Sequence, residues 1–249
     1  MTGPTAVQVW WARLGDGHAG LLALLDPVER ARYDATVDAA DRGRFLVGCA
    51  LSRLALGELL GLPPADVPLR RVCPRCGGPH GKVELAVPRE SEYADLDFSV
   101  THSGGVVGVA VCRGAAVGLD AEEYAAGLDV GTAAPIALSD TELAALHALR
   151  PAAGRQAAFL RTWTRKEAVL KALGVGLGVS PRALVVSAPD APPAVLTWPE
   201  RLGPRPDLAL ADMTVDGAHP ASVALVGACG VRLDQRDASA AVAAYAGGV

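Results

Sequence analysis

Three short stretches of this chain carry side chains with chemistry to offer. In Gly118-Leu119-Asp120-Ala121-Glu122 two carboxylates stand two residues apart within a β-forming run. On a strand that spacing projects both from the same face, where they repel one another unless a cation sits between them. A cation site and a solvated strand end both fit the pattern. The second stretch is Trp163-Thr164-Arg165-Lys166-Glu167-Ala168, with Lys171 one helical turn further on. Leu160, Trp163, Glu167 and Leu170 follow spacings of three, four and three, which places Glu167 on the apolar stripe of a helix. A carboxylate there needs a partner, and Lys171, four residues later, offers an ordinary ion pair worth a few tenths of a kcal/mol. The third stretch, Phe98-Ser99-Val100-Thr101-His102-Ser103-Gly104-Gly105, reads as a strand running into a hydroxyl-rich and glycine-rich turn. Amides, hydroxyls and an imidazole at such a turn can hold phosphate oxygens, although a plain hairpin uses the same residues.

Cys73-Pro74-Arg75-Cys76 followed by His80 brings zinc to mind, but a structural zinc site usually draws four ligands in two pairs, and only one C-x-x-C is present. A turn carrying buried thiols is the simpler reading.

These side chains must be positioned by regular elements, and the sequence marks most of them. Val7 to Leu14 is rich in β-formers and reads as a strand, and Asp41 to Leu60 carries apolar residues at helical spacing until Gly61-Leu62-Pro63-Pro64 stops it. Lys82 to Val87 reads as a short strand, and Leu96 to Val100 with Val106 to Cys112 as a hairpin around Ser103-Gly104-Gly105. The order then repeats. Ala116 to Glu122 reads as a strand, and Ser139-Asp140-Thr141-Glu142 is a capping box opening a helix through Leu149. A further helix runs from about Arg155 to Leu173 and stops at Gly174. Ala183 to Ser187, Ala194 to Trp198, Leu208 to Val215 and Ala221 to Val226 follow as antiparallel strands, with prolines marking the loops between them.

Composition sets the bounds. With 249 residues, 51% of them hydrophobic and 20% charged, the chain has apolar material for one large core or two modest ones. A formal net charge of -4 gives no global field for a phosphate backbone, so nucleic acid is not an expected partner. No apolar run approaches the roughly 20 residues that span a bilayer, and the first residues show no basic cluster ahead of an apolar stretch, so a cytoplasmic protein with no membrane partner is expected. Five scattered cysteines make no disulfide framework. Of 23 basic residues only Lys82, Lys166 and Lys171 are lysines, which singles out these positions, since a compact ammonium makes point contacts to phosphate that a planar guanidinium does not.

In order and spacing, Thr101-His102-Ser103-Gly104, Gly118-Leu119-Asp120-Ala121-Glu122 and Trp163-Thr164-Arg165-Lys166-Glu167-Ala168 with Lys171 resemble the Sfp-type 4′-phosphopantetheinyl transferases, the two-half monomeric members of that superfamily. The resemblance covers about residues 28 to 187. It implies that Asp120, Glu122 and Glu167 bind magnesium, with Glu167 also activating the acceptor serine. It further implies that Lys171 and Lys166 offset charge on the leaving phosphate, that Arg44 and His102 hold the 3′-phosphate of coenzyme A, and that Lys82 and Thr101 lie on its adenine and pyrophosphate sides. Arg30 and Arg32 fall where the family often has basic residues. Departures are Gly81-Lys82-Val83 for the usual Gly-Lys-Pro, and Thr101 for the usual Ser; neither removes a functional group.

The implied fold is α+β: two similar α/β halves with pseudo-twofold symmetry, residues 1–114 and 115–235, an active site in the cleft between them, and an unassigned tail at 236–249. The implied activity is transfer of the 4′-phosphopantetheine group of coenzyme A to a serine of an apo acyl- or peptidyl-carrier protein. A coenzyme A-dependent acyltransferase would need no metal, and a noncatalytic coenzyme A-binding module would need no Glu167 or Lys171. The carboxylate set argues against the first and the intact Glu167 and Lys171 against the second.

Overall fold

A computed structural model describes residues 3–72, 76–78, 81–125 and 127–245. In chain order its elements are β1 (Thr5–Arg13), α1 (Pro27–Ala35), α2 (Ala39–Leu60), β2 (Leu69–Arg71), β3 (Val83–Leu85), β4 (Leu96–Ser103), β5 (Val106–Arg113) and β6 (Ala116–Ala121). They continue with α3 (Val130–Ala137), α4 (Asp140–Ala148), α5 (Arg155–Leu173), β7 (Val185–Val186), β8 (Val195–Thr197), β9 (Leu208–Val215), β10 (His219–Val226), β11 (Val231–Asp237) and α6 (Ser239–Ala243). The protein is an α+β fold. Its contacts separate into two compact units, Ala6–Gly114 with Leu233–Val249, and Met1–Thr5 with Ala115–Arg232.

In the unit built on Ala6–Gly114, a sheet of order β11-β1-β5-β4 lies against the long helix α2. β1 and β4 both run antiparallel to β5, with Trp11 opposite Gly108. A Cβ at Gly108 would stand 2.2 Å from the Trp11 ring, so the absence of a side chain is what lets the indole cover that strand. α2 starts at the N-cap Asp38, whose carboxylate accepts from the Asp41 N–H, and ends at Gly61 in the left-handed region. Its Leu46, Val47, Ala50 and Leu51 pack with Phe98, Val107 and Val109 of the sheet. Arg53, buried within α2, donates to Glu29 at 2.8 Å and to the Val67 carbonyl at 2.9 Å. That contact fastens α1, a short polar helix whose Asp26-Pro27-Val28-Glu29 capping box the hydrophobic pattern does not reveal.

Of the tail at 236–249, residues 236–245 are described and have defined structure. β11 joins the open side of β1, and Ala238 and Val242 enter the core beside α2. The hairpin also differs in extent from its sequence reading: Thr101, His102 and Ser103 belong to β4 itself, and only Gly104-Gly105 makes the turn.

In the unit built on Ala115–Arg232, α5 crosses a sheet of order β6-β10-β9. The crossing is very close at one point. A Cβ on Gly118 would fall 1.9 Å from the Ala168 carbonyl oxygen and 2.4 Å from the Ala172 nitrogen, so only glycine admits the helix backbone to β6. Ala168, Val169, Leu170 and Ala172 fill the contact. α3 and α4 pack on the start of α5 through Ala134, Leu138, Leu146, Phe159 and Leu160. Among the described residues no helix is long and apolar enough to cross a membrane.

Candidate active site

The close approach at Gly118 decides what the next residues of β6 meet. Asp120, two residues on along the same strand face, is 4% exposed, and its Oδ1 accepts from the Lys171 ammonium of α5 at 2.7 Å. Burial pushes the Asp120 carboxyl up to about 7, against the pull of Lys171 and with the added push of Glu122 and Glu167. Glu122 lies just past the end of β6. Its backbone N–H still donates to the Pro220 carbonyl at 3.0 Å, and its Oε1 accepts from the Trp163 indole N–H at 3.0 Å.

From Phe159 to Ala172 every residue of α5 is buried except Arg161, Trp163, Glu167 and Lys171. The last three are four residues apart and share one helix face. Thus the face carrying Glu167 and Lys171 is the half-open one. Glu167 does not pair with the lysine one turn on: the Lys171 ammonium goes to β6, and Glu167 Oε1 is buried with no hydrogen-bond partner among the described residues. Burial raises the Glu167 pKa, with Lys171 pulling it down and Glu122 pushing it up.

Asp120, Glu122 and Glu167 therefore feel one another electrostatically across one strand and one helix. Among the described residues no three His, Cys, Asp or Glu side chains are drawn together as a closed metal cage, since Lys171 and Trp163 hold two of these carboxylates. The donor chemistry nevertheless suits a small hard cation: three carboxylates, among them Glu167 with an unsatisfied buried oxygen.

Lys166 belongs elsewhere, which corrects the expectation that it faces the leaving phosphate. Its side chain is 0% exposed and its ammonium has a full set of three acceptors: Glu142 Oε2 at 2.5 Å, the Ala137 carbonyl at 3.0 Å and the Pro181 carbonyl at 3.0 Å. Glu142 in turn accepts from the N–H groups of Ser139 and Val186, so this ion pair joins α4, α5 and β7. Arg165 is also fully buried, donating to Asp212 at 2.6 Å and to the carbonyls of Ser187, Ala188 and Ala191.

The residues expected to meet coenzyme A are in the other unit. The Arg44 guanidinium donates to the Gly104 carbonyl at 3.0 Å and to Asp41 at 2.6 Å, which sets it at the turn following His102. His102 is exposed on β4, whereas Thr101, its neighbour, is buried on the opposite face. Lys82 reaches Asp97 of the same strand at 2.5 Å. Arg30 is paired with Asp34, and the Arg32 guanidinium lies 5.0 Å from the centre of the Phe45 ring. Cys73 and His80 of the zinc reading lie outside the described residues; Cys76 is exposed.

Sequence reasoning gave no functional role to Gly118, Trp163 or Asp41, and gave Glu142 only its place in the capping box. Gly118 had a signal, being a glycine inside a strand pattern, which often marks a close backbone approach. Asp41 had one too, standing three residues before Arg44 on the same helix, whereas the partner of Lys166 had none, because it is set by topology.

A family model described as the 4′-phosphopantetheinyl transferase superfamily matches residues 116–215, the stretch that contains Asp120, Glu122, Glu167 and Lys171. The chain is 30% identical over 207 residues, 83% of its own length and 81% of the relative's, to the 4′-phosphopantetheinyl transferase HetI of Nostoc sp.. It is 29% identical over 201 residues to a phosphopantetheinyl transferase of Thraustochytrium sp., covering 70% of this chain and 63% of that one. With both the motif order and four-fifths of a named relative accounted for, the chain belongs to the 4′-phosphopantetheinyl transferase superfamily.

Proposed function

We propose that this protein transfers the 4′-phosphopantetheine group of coenzyme A to a serine hydroxyl of an apo acyl- or peptidyl-carrier protein, releasing 3′,5′-adenosine bisphosphate. The reading is supported above all by the half-open face of α5, where Glu167 and Lys171 stand beside Asp120 with a buried oxygen of Glu167 left unsatisfied.

In this scheme Asp120, Glu122 and Glu167 would hold magnesium, which when bound offsets charge on the pyrophosphate and orients it for in-line attack. The rest is done by the protein. Glu167, on the half-open face of α5, accepts the proton of the carrier serine. Lys171 offsets charge on the departing phosphate from the same helix face. Arg44, held beside the turn that follows His102, takes the 3′-phosphate with that imidazole, and a guanidinium fork suits the task. Lys82 serves the adenine side and Thr101 the pyrophosphate side. The reaction would take place in the cytoplasm.

The direct test is to incubate the protein with coenzyme A, magnesium and a panel of apo-carrier proteins and to weigh the carriers by mass spectrometry. A phosphopantetheine adduct on the carrier serine is expected, and its loss in excess chelator. Unchanged mass across a panel that a known transferase modifies would overturn the assignment.

A further inference from the structure

We propose that Trp163 is a positioning residue for Glu122, fixing that carboxylate through its indole N–H so that it is aimed before any metal arrives. The inference rests on the reading of Asp120, Glu122 and Glu167 as metal ligands.

Glu122 is the one carboxylate of the three without a regular element of its own. Asp120 lies within β6 and Glu167 in the middle of α5, but Glu122 follows the last residue of the strand. Its backbone is fastened by the bond to Pro220. A glutamate side chain has three further torsions, and fixing them costs on the order of 1–2 kcal/mol. The indole N–H of Trp163, 3.0 Å from Oε1, is a donor only, so it can fix this acceptor oxygen in one direction.

The indole is itself held. Its ring stacks on Phe159 with centroids 6.4 Å apart and planes 20° from parallel, and Phe159 is anchored in the core formed by α3, α4 and α5. Trp163 also stands one turn before Glu167 and two before Lys171 on the same face. One rigid helix therefore presents a metal ligand, a cation and the donor that orients a ligand on the neighbouring strand. Groups that orient a metal ligand in this way typically contribute ten- to a hundredfold in metal affinity.

The decisive variant is Trp163→Phe, which keeps an aromatic ring against Phe159 and removes the indole donor with part of the ring. Mn2+ binding to the protein without coenzyme A, followed by electron paramagnetic resonance, should weaken by about ten- to a hundredfold. Thermal stability should change little, and turnover should recover toward the parent at saturating metal. In a Glu122→Gln background the same change at Trp163 should have no further effect on Mn2+ affinity, because the two residues act as one unit. A measurement that leaves Trp163 intact uses the parent labelled with 5-fluorotryptophan: metal should shift one of the four tryptophan resonances, and that response should vanish in Glu122→Gln. If Asp120→Asn weakens Mn2+ binding but Trp163→Phe does not, the positioning role fails and the metal site stands. Should Asp120→Asn bind Mn2+ as the parent does, the metal reading fails and takes this inference with it.

Discussion

At the scale of single residues, adjacent lysine and glutamate on α5 separate into opposite roles. Lys166 and Glu167 are neighbours in the chain, yet the helix sends the first into the interior and the second to the half-open face. Two substitutions distinguish the roles. Glu167→Gln keeps the size and polarity of a half-buried side chain that is not tied into the packing, so thermal unfolding should barely move. Its turnover should fall by about 10² to 10⁴-fold, the usual worth of a general base, with lost metal affinity added to that. Near-parental rates would return Glu167 to an ordinary helix surface residue. Lys166→Met should do the reverse. It leaves Glu142 charged and buried without its cation, a loss of about 3–5 kcal/mol that a melting curve or urea midpoint would register. If Lys166→Met instead kept full stability and lost only turnover, this lysine would have a catalytic rather than a structural role.

At the scale of elements, the site depends on how closely one helix meets one strand. Gly118→Ala adds a single methyl, but the atom it meets is backbone of α5 rather than the end of a flexible side chain. The helix must lift, with a cost at or above the upper end of the usual overpacking range of about 1–3 kcal/mol. Because Asp120 and Lys171 flank the contact, transfer activity should fall along with stability, in contrast to Lys166→Met tested at a temperature where that variant is folded. A different element carries a pH signature. The exposed Asp129 caps α3, and hydrogen bonds from the Thr132 hydroxyl and from the N–H groups of Thr132 and Gly131 hold its carboxyl below the ordinary value of 3.8. A depressed folded value means that the cap's contribution is complete above about pH 3.8 and is lost as pH falls through the folded value. Carboxyl NMR should find Asp129 titrating below free aspartate, and Asp129→Ala should remove that part of the acid dependence of stability.

For the whole molecule, the end of the chain matters to the unit that its beginning builds. β11 supplies the strand beside β1, the Ala238 N–H donates to the Trp11 carbonyl at 2.7 Å, and Val242 is fully buried. Ending the chain after Gly230 would bare one edge of β1 and remove Val242 from the core, the latter alone worth about 1.5–3 kcal/mol. Such a truncation should melt at a markedly lower temperature and aggregate through the exposed strand. A melting temperature equal to that of the full chain would show that this strand and helix only decorate the unit.

Much of this was legible in the residues themselves. The limits of α5 follow from the pattern up to Gly174, the capping box at Ser139 opens α4 as expected, and the period of a strand alone puts Asp120 and Glu122 on one side of the chain. Other features had no local signal. Helical spacing says which residues share a stripe but not which stripe faces the core, and α5 is buried around so much of its circumference that its apolar pattern misleads. Glu167 reads as belonging to the buried stripe and lies on the half-open one, while Arg165 and Lys166, which fall outside that stripe, are the buried ones. Their burial is possible only because Asp212, Glu142 and a set of loop carbonyls, distant in sequence, arrive to satisfy them. The sequence by itself determined the order of the elements, the period of each and the carboxylates they carry. Tertiary structure decided the partners, because a charge finds its counter-charge in space, and only the approach of α5 to β6 at Gly118 brings Lys171 to Asp120 and Trp163 to Glu122.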